Sequence, residues 1–326
     1  MRSTIFELIN AHEKYRSDCI NLIPSENVMS NTARKSLSSD LVHRYHHADF
    51  YGGLKYIKEI IKTTRNLLRK LFKAEYVFIE PLSGNISFLA ALLALSKPTD
   101  KIAILSADDG GYPFDFEPLK RRPVYLPFDW SSGTIDVDKA IDILYSEKPK
   151  IVVLGASFIL FPHPVKEFSE ICDEIDAYLI YDGSHLLGLI AGGVFQAPLL
   201  EGAHVLLGST HKTFPGPQGG VILTNEKSIA ERIAKFITFP PILVDNIHVN
   251  RVAALGITAE EMLLYGREYA KKVVENAKFF AEKLFNYGLN LGFEEKGFTG
   301  SHQIWLKTSE TEGIKIRDTL GKANII

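Results

Sequence analysis

The sequence predicts an α/β protein whose mostly parallel sheet lies between layers of helices. Two observations carry this prediction: short, nearly continuous apolar runs recur over residues 76–225, and helical stretches alternate with them. Strands that are buried on both faces of a parallel sheet have this apolar character, and regular strand–helix alternation is typical of such sheets. The length of 326 residues suits one large α/β domain and a smaller one.

The predicted elements follow one another in a simple order. A first strand, YVFIE (76–80), precedes a buried helix, SFLAALLALS (87–96). Bounded apolar runs predict the next three strands, which are KIAILSA (101–107), RPVYLPF (122–128) and KPKIVVLGAS (148–157). After the helix EFSEICDEI (167–175), the last three strands are AYLIYD (177–182), HVLLGST (204–210) and GGVILTN (219–225). We therefore expect a seven-stranded sheet.

Changes of pattern along the chain indicate its domains. Residues 1–45 are helical and then irregular, as expected of an N-terminal arm, and residues 46–255 form the large α/β domain. A long helical pattern with several charges over 259–287 is expected to form the bridge into a small C-terminal α+β domain, residues 256–326. The last part, 288–326, predicts two strands, a helix and the start of another strand, so we expect this domain to be incomplete.

Composition argues against several classes of protein. The chain carries a net charge of −2, whereas a nucleic-acid-binding protein usually shows a basic patch or a high pI. Cys19 and Cys172 each lie beside apolar residues and show no Cys-x-x-Cys spacing, and this predicts buried free thiols rather than a disulfide or a metal site. The sequence shows neither a signal-peptide core nor an apolar run of ~18 residues, so we expect a cytoplasmic protein without a membrane span.

The segment HVLLGSTHKTFPGPQGG (204–220) holds the strongest chemical signal, because a strand ends there in Ser209, Thr210, His211 and Lys212. Ligands gather at the carboxyl ends of strands in open α/β sheets. Burial lowers the pKa of a lysine toward the free amine, which is the form that can make a Schiff base. An exposed loop lysine would fit the same segment, so on its own it leaves both interpretations open.

Three more polar segments follow predicted strands. Asp182 ends AYLIYD, where a carboxylate could pair with the protonated ring nitrogen of pyridoxal phosphate. The backbone N–H groups of Ser83, Gly84 and Asn85, at a predicted helix start, could bind a phosphate, and Tyr112 could lie flat on a ring. Helix capping explains Asp182 and Ser83 equally well when each is taken alone, and Tyr112 could be an ordinary turn residue.

The order of these segments resembles that of fold-type I pyridoxal-phosphate enzymes, the aspartate-aminotransferase-like superfamily. More closely, the chain resembles the serine hydroxymethyltransferase family. The motifs that carry this resemblance cover nearly the whole chain: NLIPSEN (21–27), RYHHADFYGG (44–53), EPLSGNISF (80–88), YDGSHLLGLIAGGVF (181–195), STHKTFPGPQGG (209–220), GSHQIWLKT (300–308) and LGKANII (320–326).

The resemblance implies a pyridoxal 5'-phosphate cofactor, a small amino-acid substrate and a homodimer with shared active sites. A tetrahydropterin is the implied candidate co-substrate. Lys212 would carry the cofactor as a Schiff base, Asp182 would bind its ring nitrogen, and His185 would lie near its phenolic oxygen. Two of the implied residues, Tyr45 and Tyr51, would reach into the neighbouring subunit's site. The implied cofactor-binding residues are Ser83, Gly84, Asn85, Tyr112, Ser157, Ser209, His211 and Tyr45, and the implied substrate-binding residues are Ser25, Tyr51 and His47.

The chain departs from the family's pattern on the pterin and substrate side. Tyr112 stands where the family usually has a stacking histidine, and Gln218 where it has an arginine. The glutamate that usually follows the first tyrosine is missing, so His47 or Asp49 could move the proton instead, a loop rearrangement being the alternative. FPPI (239–242) replaces a glycine-rich loop. The family's substrate-carboxylate arginine lies beyond its ANI strand, past residue 326.

Three functions therefore stay open. The first is serine–glycine interconversion with one-carbon transfer to a reduced pterin. The second is a pterin-independent aldolase, lyase or aminotransferase that uses the same cofactor on the same scaffold, and the altered pterin side favours it. The third is a protein that binds the cofactor without catalysis. Activity without added tetrahydropterin would separate the first from the second.

Overall fold

A seven-stranded sheet forms the centre of the fold, as predicted. The structure, a computed structural model, describes residues 4–46, 51–238, 240 and 242–326. Its strands in chain order are β1 (Tyr76–Phe78), β2 (Lys101–Leu105), β3 (Arg122–Leu126), β4 (Phe128–Asp129), β5 (Thr134–Ile135), β6 (Ile151–Leu154), β7 (Tyr178–Asp182), β8 (Val205–Ser209) and β9 (Gly220–Thr224). Strands β4 and β5 form a small separate hairpin, and the other seven form the central sheet.

The strands of the sheet lie in the order β1-β9-β8-β7-β6-β2-β3. Strand β9 pairs antiparallel with both of its neighbours, and the remaining pairs are parallel. Strands β6, β8 and β9 bury every one of their residues, and this explains their continuous apolar sequences. Because β2, β6, β7 and β8 are parallel, their carboxyl ends meet at one edge, where ligands of such sheets bind.

Helices cover both faces of the sheet. They are α1 (Thr4–Ser17), α2 (Asn31–Leu37), α3 (Lys55–Phe72), α4 (Gly84–Leu95), α5 (Val137–Glu147), α6 (Val165–Glu174), α7 (Leu187–Ala191), α8 (Lys227–Ile237), α9 (Val249–Asn286) and α10 (Glu310–Lys322). The almost entirely apolar α4 packs between β8–β9 and α8, and α3 packs against α9. The hydroxyl of Ser83 caps α4 by accepting the Ile86 N–H at 3.1 Å, so the helix begins three residues before the predicted apolar run.

Helix α9 starts before the predicted pattern, at Val249, and it is continuous through the expected boundary at residues 255 and 256. Its first half, as far as Ala270, packs into the main core, whereas Ala281 belongs to a small second cluster with Leu291 and Phe298. The predicted bounds of the domains stay a prediction.

The C-terminal segment differs from the prediction in its strands. Instead of two strands, the described residues after α9 form an isolated bridge between Leu291 and Leu306. Phe293 and Gly297 adopt left-handed backbone conformations, with φ of 63° and 69°, and these interrupt an extended chain. The predicted helix is present as α10, with a capping box formed by Ser309 and Glu312. The start of the last predicted strand pairs with the N-terminal segment through a parallel bridge between Ile20 and Ile325.

The two cysteines differ in their surroundings. Cys172 is a buried free thiol, as predicted, but the prediction was wrong for Cys19, which is free and only half-buried. Cys19 follows α1, a helix that buries none of its own side chains, so little packs over the thiol. Within the described ranges no helix is both long and apolar enough to cross a membrane.

Candidate active site

A cavity of about 130 Å³ lies at the carboxyl edge of the sheet. It brings together ten of the residues that the sequence indicated, from five separate segments of the chain. Two further lining residues, Ala156 and Ser184, were missed, because neither stands out in its motif. The lining residues are Ser83, Gly84, Asn85, Tyr112, Ala156, Ser157, Asp182, Ser184, His185, Ser209, His211 and Lys212.

The first turn of α4 forms one wall of this cavity. A Cβ atom on Gly84 would lie 2.3 Å from Ser209 Oγ and 3.1 Å from Ser184 Oγ, so the wall has no room for a side chain. The unpaired backbone N–H groups and the positive end of the helix dipole favour an anion at such a position. Ser184 Oγ also accepts the Ser209 N–H at 3.1 Å, which ties the loop after β7 to the end of β8 beside the wall.

The lysine and the aspartate influence each other's ionisation inside the cavity. Burial lowers the pKa of the Lys212 amine, and the carboxylate of Asp182 partly opposes this shift. Burial raises the pKa of Asp182, although the Ser184 N–H donates to Asp182 Oδ1 at 2.9 Å and Lys212 lies nearby. A buried carboxylate of this kind is stabilised by a cation that approaches it. Lys212 is half-buried, and this removes the alternative of an exposed loop lysine.

Three imidazoles surround this pair and are held neutral. Burial is the main cause in each case; it lowers the pKa of His185 to about 3 and that of His302 to about 4, and it lowers the pKa of His211 as well. The Nδ1 atoms of all three are buried without a hydrogen-bond partner in the described part of the chain. His185 and His302 stack with ring centroids 5.8 Å apart. Buried polar atoms without partners are uncommon in folded proteins, and they indicate positions where a ligand supplies the missing contact.

Tyr112 closes the cavity from the loop after β2. Its hydroxyl donates to Asn85 Oδ1 at 3.0 Å, and this joins the ring to the α4 wall. Phe88 packs edge-on against Tyr112 at 6.2 Å and against Phe114 at 4.9 Å. Phe114 therefore belongs to an aromatic cluster behind Tyr112 and does not line the cavity.

Residues distant in sequence hold the lysine loop in place, and sequence reasoning missed them. Asn27 Nδ2 donates to the Lys212 carbonyl at 2.7 Å and to the Tyr269 hydroxyl at 2.8 Å. The Tyr269 hydroxyl in turn donates to the Thr213 carbonyl at 2.9 Å. The Thr213 hydroxyl donates to the His185 carbonyl at 2.6 Å. Asn27 is the last residue of the NLIPSEN motif (21–27). That motif was the available sign that Asn27 has a function, but it does not indicate which groups the amide contacts.

The predicted substrate-side residues lie outside the set that lines the cavity. Tyr45 and Tyr51 are 46% and 43% exposed, and their ring centroids are 5.8 Å apart. Ser25 is half-buried and follows Pro24, whose carbonyl lies 3.1 Å from His302 Nε2. His47 falls outside the described residues.

The structure describes some of the other residues at which the chain departs from the family's pattern. Gln218, in place of an arginine, is exposed. The guanidinium of the buried Arg251 lies against the inner side of the same loop. A Cβ atom on Gly219 would be 2.5 Å from Arg251 Nη1. Arg251 Nη2 donates to the Ile79 carbonyl at 2.6 Å. Asp49, Phe239 and Pro241 lie outside the described residues, so the predictions that rest on them stay predictions.

The residues of the cavity fit pyridoxal phosphate. The side-chain-free wall at Gly84 suits a phosphate, the buried Asp182 carboxylate suits a protonated ring nitrogen, and the Lys212 amine suits a covalent bond to an aldehyde. The unpartnered Nδ1 atoms of His185 and His211 offer hydrogen bonds to polar groups of such a ligand.

Comparisons with known proteins agree with this geometry. A family model described as serine hydroxymethyltransferase matches residues 1–326. The serine hydroxymethyltransferase of Pyrococcus horikoshii is 43% identical in an alignment of 320 positions, which covers 95% of this chain and 75% of that protein. The enzyme of the same name from Archaeoglobus fulgidus is 42% identical in an alignment of 335 positions, which covers 99% of this chain and 76% of that protein. The chain thus spans about three quarters of the length of these relatives.

A solved structure matches the fold closely. The L-threonine transaldolase from Pseudomonas fluorescens superposes with a TM-score of 0.92 at 28% sequence identity, and the match covers 98% of this chain and 76% of the transaldolase chain. Together with the family model and the relatives, it establishes the fold-type I architecture that the sequence predicted. The chain belongs to the serine hydroxymethyltransferase family and is a pyridoxal-phosphate-dependent transferase.

Proposed function

We propose that this protein cleaves the Cα–Cβ bond of L-serine to give glycine and passes the one-carbon unit to a reduced pterin. The observation that supports this most directly is the convergence of Lys212, Asp182 and His185 with the side-chain-free wall at Gly84 in one small cavity. The family membership of the chain supports the same reaction.

Each residue of the cavity has a physical role in this proposal. When bound, pyridoxal phosphate supplies an electron sink that weakens the bonds at the α-carbon of an amino acid. Lys212 would hold the cofactor covalently, and its lowered pKa favours the free amine that bond formation needs. Asp182 would keep a proton on the ring nitrogen, because a buried carboxylate is stabilised by a cation beside it. The N–H groups of the α4 first turn would bind the phosphate.

The neutral imidazoles would move or hold protons near the reacting atoms. His185 lines the cavity, and burial keeps its pKa at about 3, so it would serve as a neutral hydrogen-bond partner at the cofactor's phenolic oxygen. Ser25 would bind the substrate carboxylate, and the contact between Pro24 and His302 supports its segment next to the cavity. His47 or Asp49 would accept the proton of the substrate hydroxyl.

A second candidate is a pterin-independent cleavage of β-hydroxy amino acids at the same site. One observation favours it: in the segment after β2, where Tyr112 stands in place of the family's usual histidine, Phe114 packs into the aromatic cluster with Phe88 and Phe116. The chain is also similar in structure to a protein named L-threonine transaldolase.

One experiment separates these candidates. The protein, loaded with pyridoxal phosphate, is incubated with L-serine or L-threonine, with and without a tetrahydropterin, and glycine formation is measured. Glycine from serine that requires the pterin supports the proposal. Pterin-independent cleavage of either amino acid supports the second candidate. A protein that binds the cofactor but turns over neither amino acid would be a binding protein without catalysis, and both reaction proposals would fail.

The proposal includes a cytoplasmic homodimer whose two chains share their active sites. Helix α1 supports a second copy, because Ile5, Phe6 and Leu8 are 60–65% exposed and an apolar helix face usually packs against a partner. Tyr45 and Tyr51 would enter the second copy's cavity.

Mixing two inactive variants tests the shared sites. Lys212→Ala and Tyr51→Ala damage different halves of a shared site, so a mixed dimer contains one intact site and activity should reappear. The control pair is Lys212→Ala with Asp182→Ala, both in the same chain's cavity, for which we expect no recovery. Equal recovery in both mixtures, or in neither, would contradict shared sites.

A further inference from the structure

The side chain of Gln303 makes an unusual buried connection to the cofactor cavity. It is 6% exposed, and its amide reaches a loop that lies far earlier in the chain. Nε2 donates to the Ser157 carbonyl at 2.8 Å, and Oε1 accepts the Ile159 N–H at 2.8 Å. Because a carbonyl only accepts and an N–H only donates, these partners permit a single orientation of the amide.

The loop that Gln303 contacts carries one residue of the cavity, Ser157. This loop leaves β6, and its other anchors lie on both sides of Ser157. The Gly155 N–H donates to His163 Nδ1 at 3.1 Å, and the Phe158 N–H donates to the Gly110 carbonyl at 2.9 Å. Gln303 adds one hydrogen bond on either side of Phe158, and so completes the set of contacts around Ser157.

The residue before Gln303 contacts the opposite side of the cavity. The His302 ring stacks on His185 at 5.8 Å with an angle of 20° between the planes, and His302 Nε2 lies 3.1 Å from the Pro24 carbonyl. One short segment thus contacts the loop of Ser157, the imidazole of His185 and the segment that carries Ser25.

Packing alone does not explain a glutamine at this position. Buried positions favour apolar residues, and a buried amide is tolerated only when its polar groups are paired. Here both polar atoms are paired with main-chain groups of one loop. The two hydrogen bonds of Gln303 therefore fix the backbone conformation of residues 157–159, which an apolar side chain could not do.

We propose that Gln303 is a positioning residue of the active site, which holds the Ser157 hydroxyl in the orientation that binds the cofactor. Its effect on the cofactor passes through Ser157, while His302 supports His185 from the same segment. The proposal rests on the cofactor assignment made above. It is tested through cofactor affinity, so that it does not depend on which amino acid the enzyme cleaves.

A double-mutant cycle tests the proposal directly. The dissociation constant for pyridoxal phosphate is measured for the parent, Gln303→Leu, Ser157→Ala and the double variant. Gln303→Leu leaves two main-chain groups unpaired near Ser157, and we expect cofactor binding to weaken by about tenfold. In the Ser157→Ala background the same change should have little further effect, because coupled residues are not additive. Fully additive effects, or unchanged affinity in Gln303→Leu, would overturn the proposal.

A further variant keeps the test decisive if Gln303→Leu folds poorly. In Gln303→Glu, the ionised carboxylate cannot donate to the Ser157 carbonyl, whereas the protonated form can replace both bonds. The ratio of its cofactor dissociation constant to that of the parent should therefore fall as the pH is lowered; a ratio that does not change with pH would contradict the proposal.

The matched control is Arg121→Met, at the opposite edge of the sheet. Arg121 is also buried and donates to two main-chain carbonyls, those of Leu119 and Ser96. Arg121→Met should lower the free energy of unfolding without changing the affinity for pyridoxal phosphate. An equal loss of affinity in this control would reduce Gln303 to a general structural role. If the parent itself bound no cofactor, the cofactor assignment would fail first, and this outcome is distinguishable from a failure that is confined to Gln303.

Discussion

Replacing Gly84 by alanine should separate cofactor binding from folding. A Cβ at this position would lie 2.3 Å from Ser209 Oγ and 3.1 Å from both Ser184 Oγ and Ser209 N. Gly84 is the first residue of α4, so alanine gains only part of the ~1 kcal/mol that it has over glycine in a helix interior, while overpacking costs about 1–3 kcal/mol. The protein is therefore destabilised by at most about 3 kcal/mol.

Gly84→Ala should also weaken cofactor binding. The shift that relieves the contact with Ser209 moves the first turn of α4, and the hydrogen bonds of a charged phosphate are worth about 1.5–3 kcal/mol each. The loss of one or two of them corresponds to about 100-fold weaker binding. The assay is a titration with pyridoxal phosphate, combined with thermal unfolding of the same samples.

A second glycine provides the control for this prediction. Gly321, in α10, has nothing within 4 Å of the place that a Cβ atom would take, so Gly321→Ala should stabilise the protein slightly and leave cofactor affinity unchanged. If Gly84→Ala bound the cofactor as tightly as the parent, the phosphate would not lie against the first turn of α4.

Three further predictions follow from other parts of the structure. Burial lowers the pKa of His163 to about 4, below its value in the unfolded chain, so the stability that the neutral imidazole contributes is complete above about pH 6.5 and is lost as the pH falls toward 4. The unfolding free energy of His163→Asn should therefore depend less steeply on pH over this range, and an unchanged slope would show that His163 is not held neutral by burial. Burial raises the pKa of Cys172 to about 12, so a thiol reagent should label the half-buried Cys19 quickly and Cys172 only when the protein unfolds. Peptide mapping measures both labelling rates, and equal rates would contradict the burial of Cys172. Asn27→Ala removes the donor to the Lys212 carbonyl. We expect cofactor affinity to fall about fivefold with little change in thermal stability, since one hydrogen bond is worth about 1 kcal/mol; unchanged affinity would show that this bond does not position the lysine loop.

The strands of the sheet and their succession along the chain could be predicted from local sequence. Each central strand is an apolar run bounded by polar or turn residues, and the chemically distinctive residues follow these runs directly, as Asp182 and Lys212 do. Parallel strands place such ends at one edge, so eight of the ten predicted cavity residues could be grouped from their positions after strands, whereas the family resemblance supplied Ser157 and His185.

The supporting contacts could not be predicted in this way. Asn27 and Lys212 are 185 residues apart, and Gln303 and Ile159 are 144 apart. No local periodicity or spacing encodes such pairs, because they depend on how distant segments cross in three dimensions. The C-terminal strands were overestimated for a different reason: the apolar residues are present, but the left-handed conformations at Phe293 and Gly297 interrupt them.

Reductive trapping of the cofactor shows whether Lys212 holds pyridoxal phosphate covalently. The protein is incubated with the cofactor and reduced with borohydride, and its peptides are mapped by mass spectrometry. We predict that the pyridoxyl group is found on the peptide that contains Lys212 and is absent from the Lys212→Ala variant. A protein without label, or with label on another lysine at comparable yield, would show that Lys212 does not carry the cofactor.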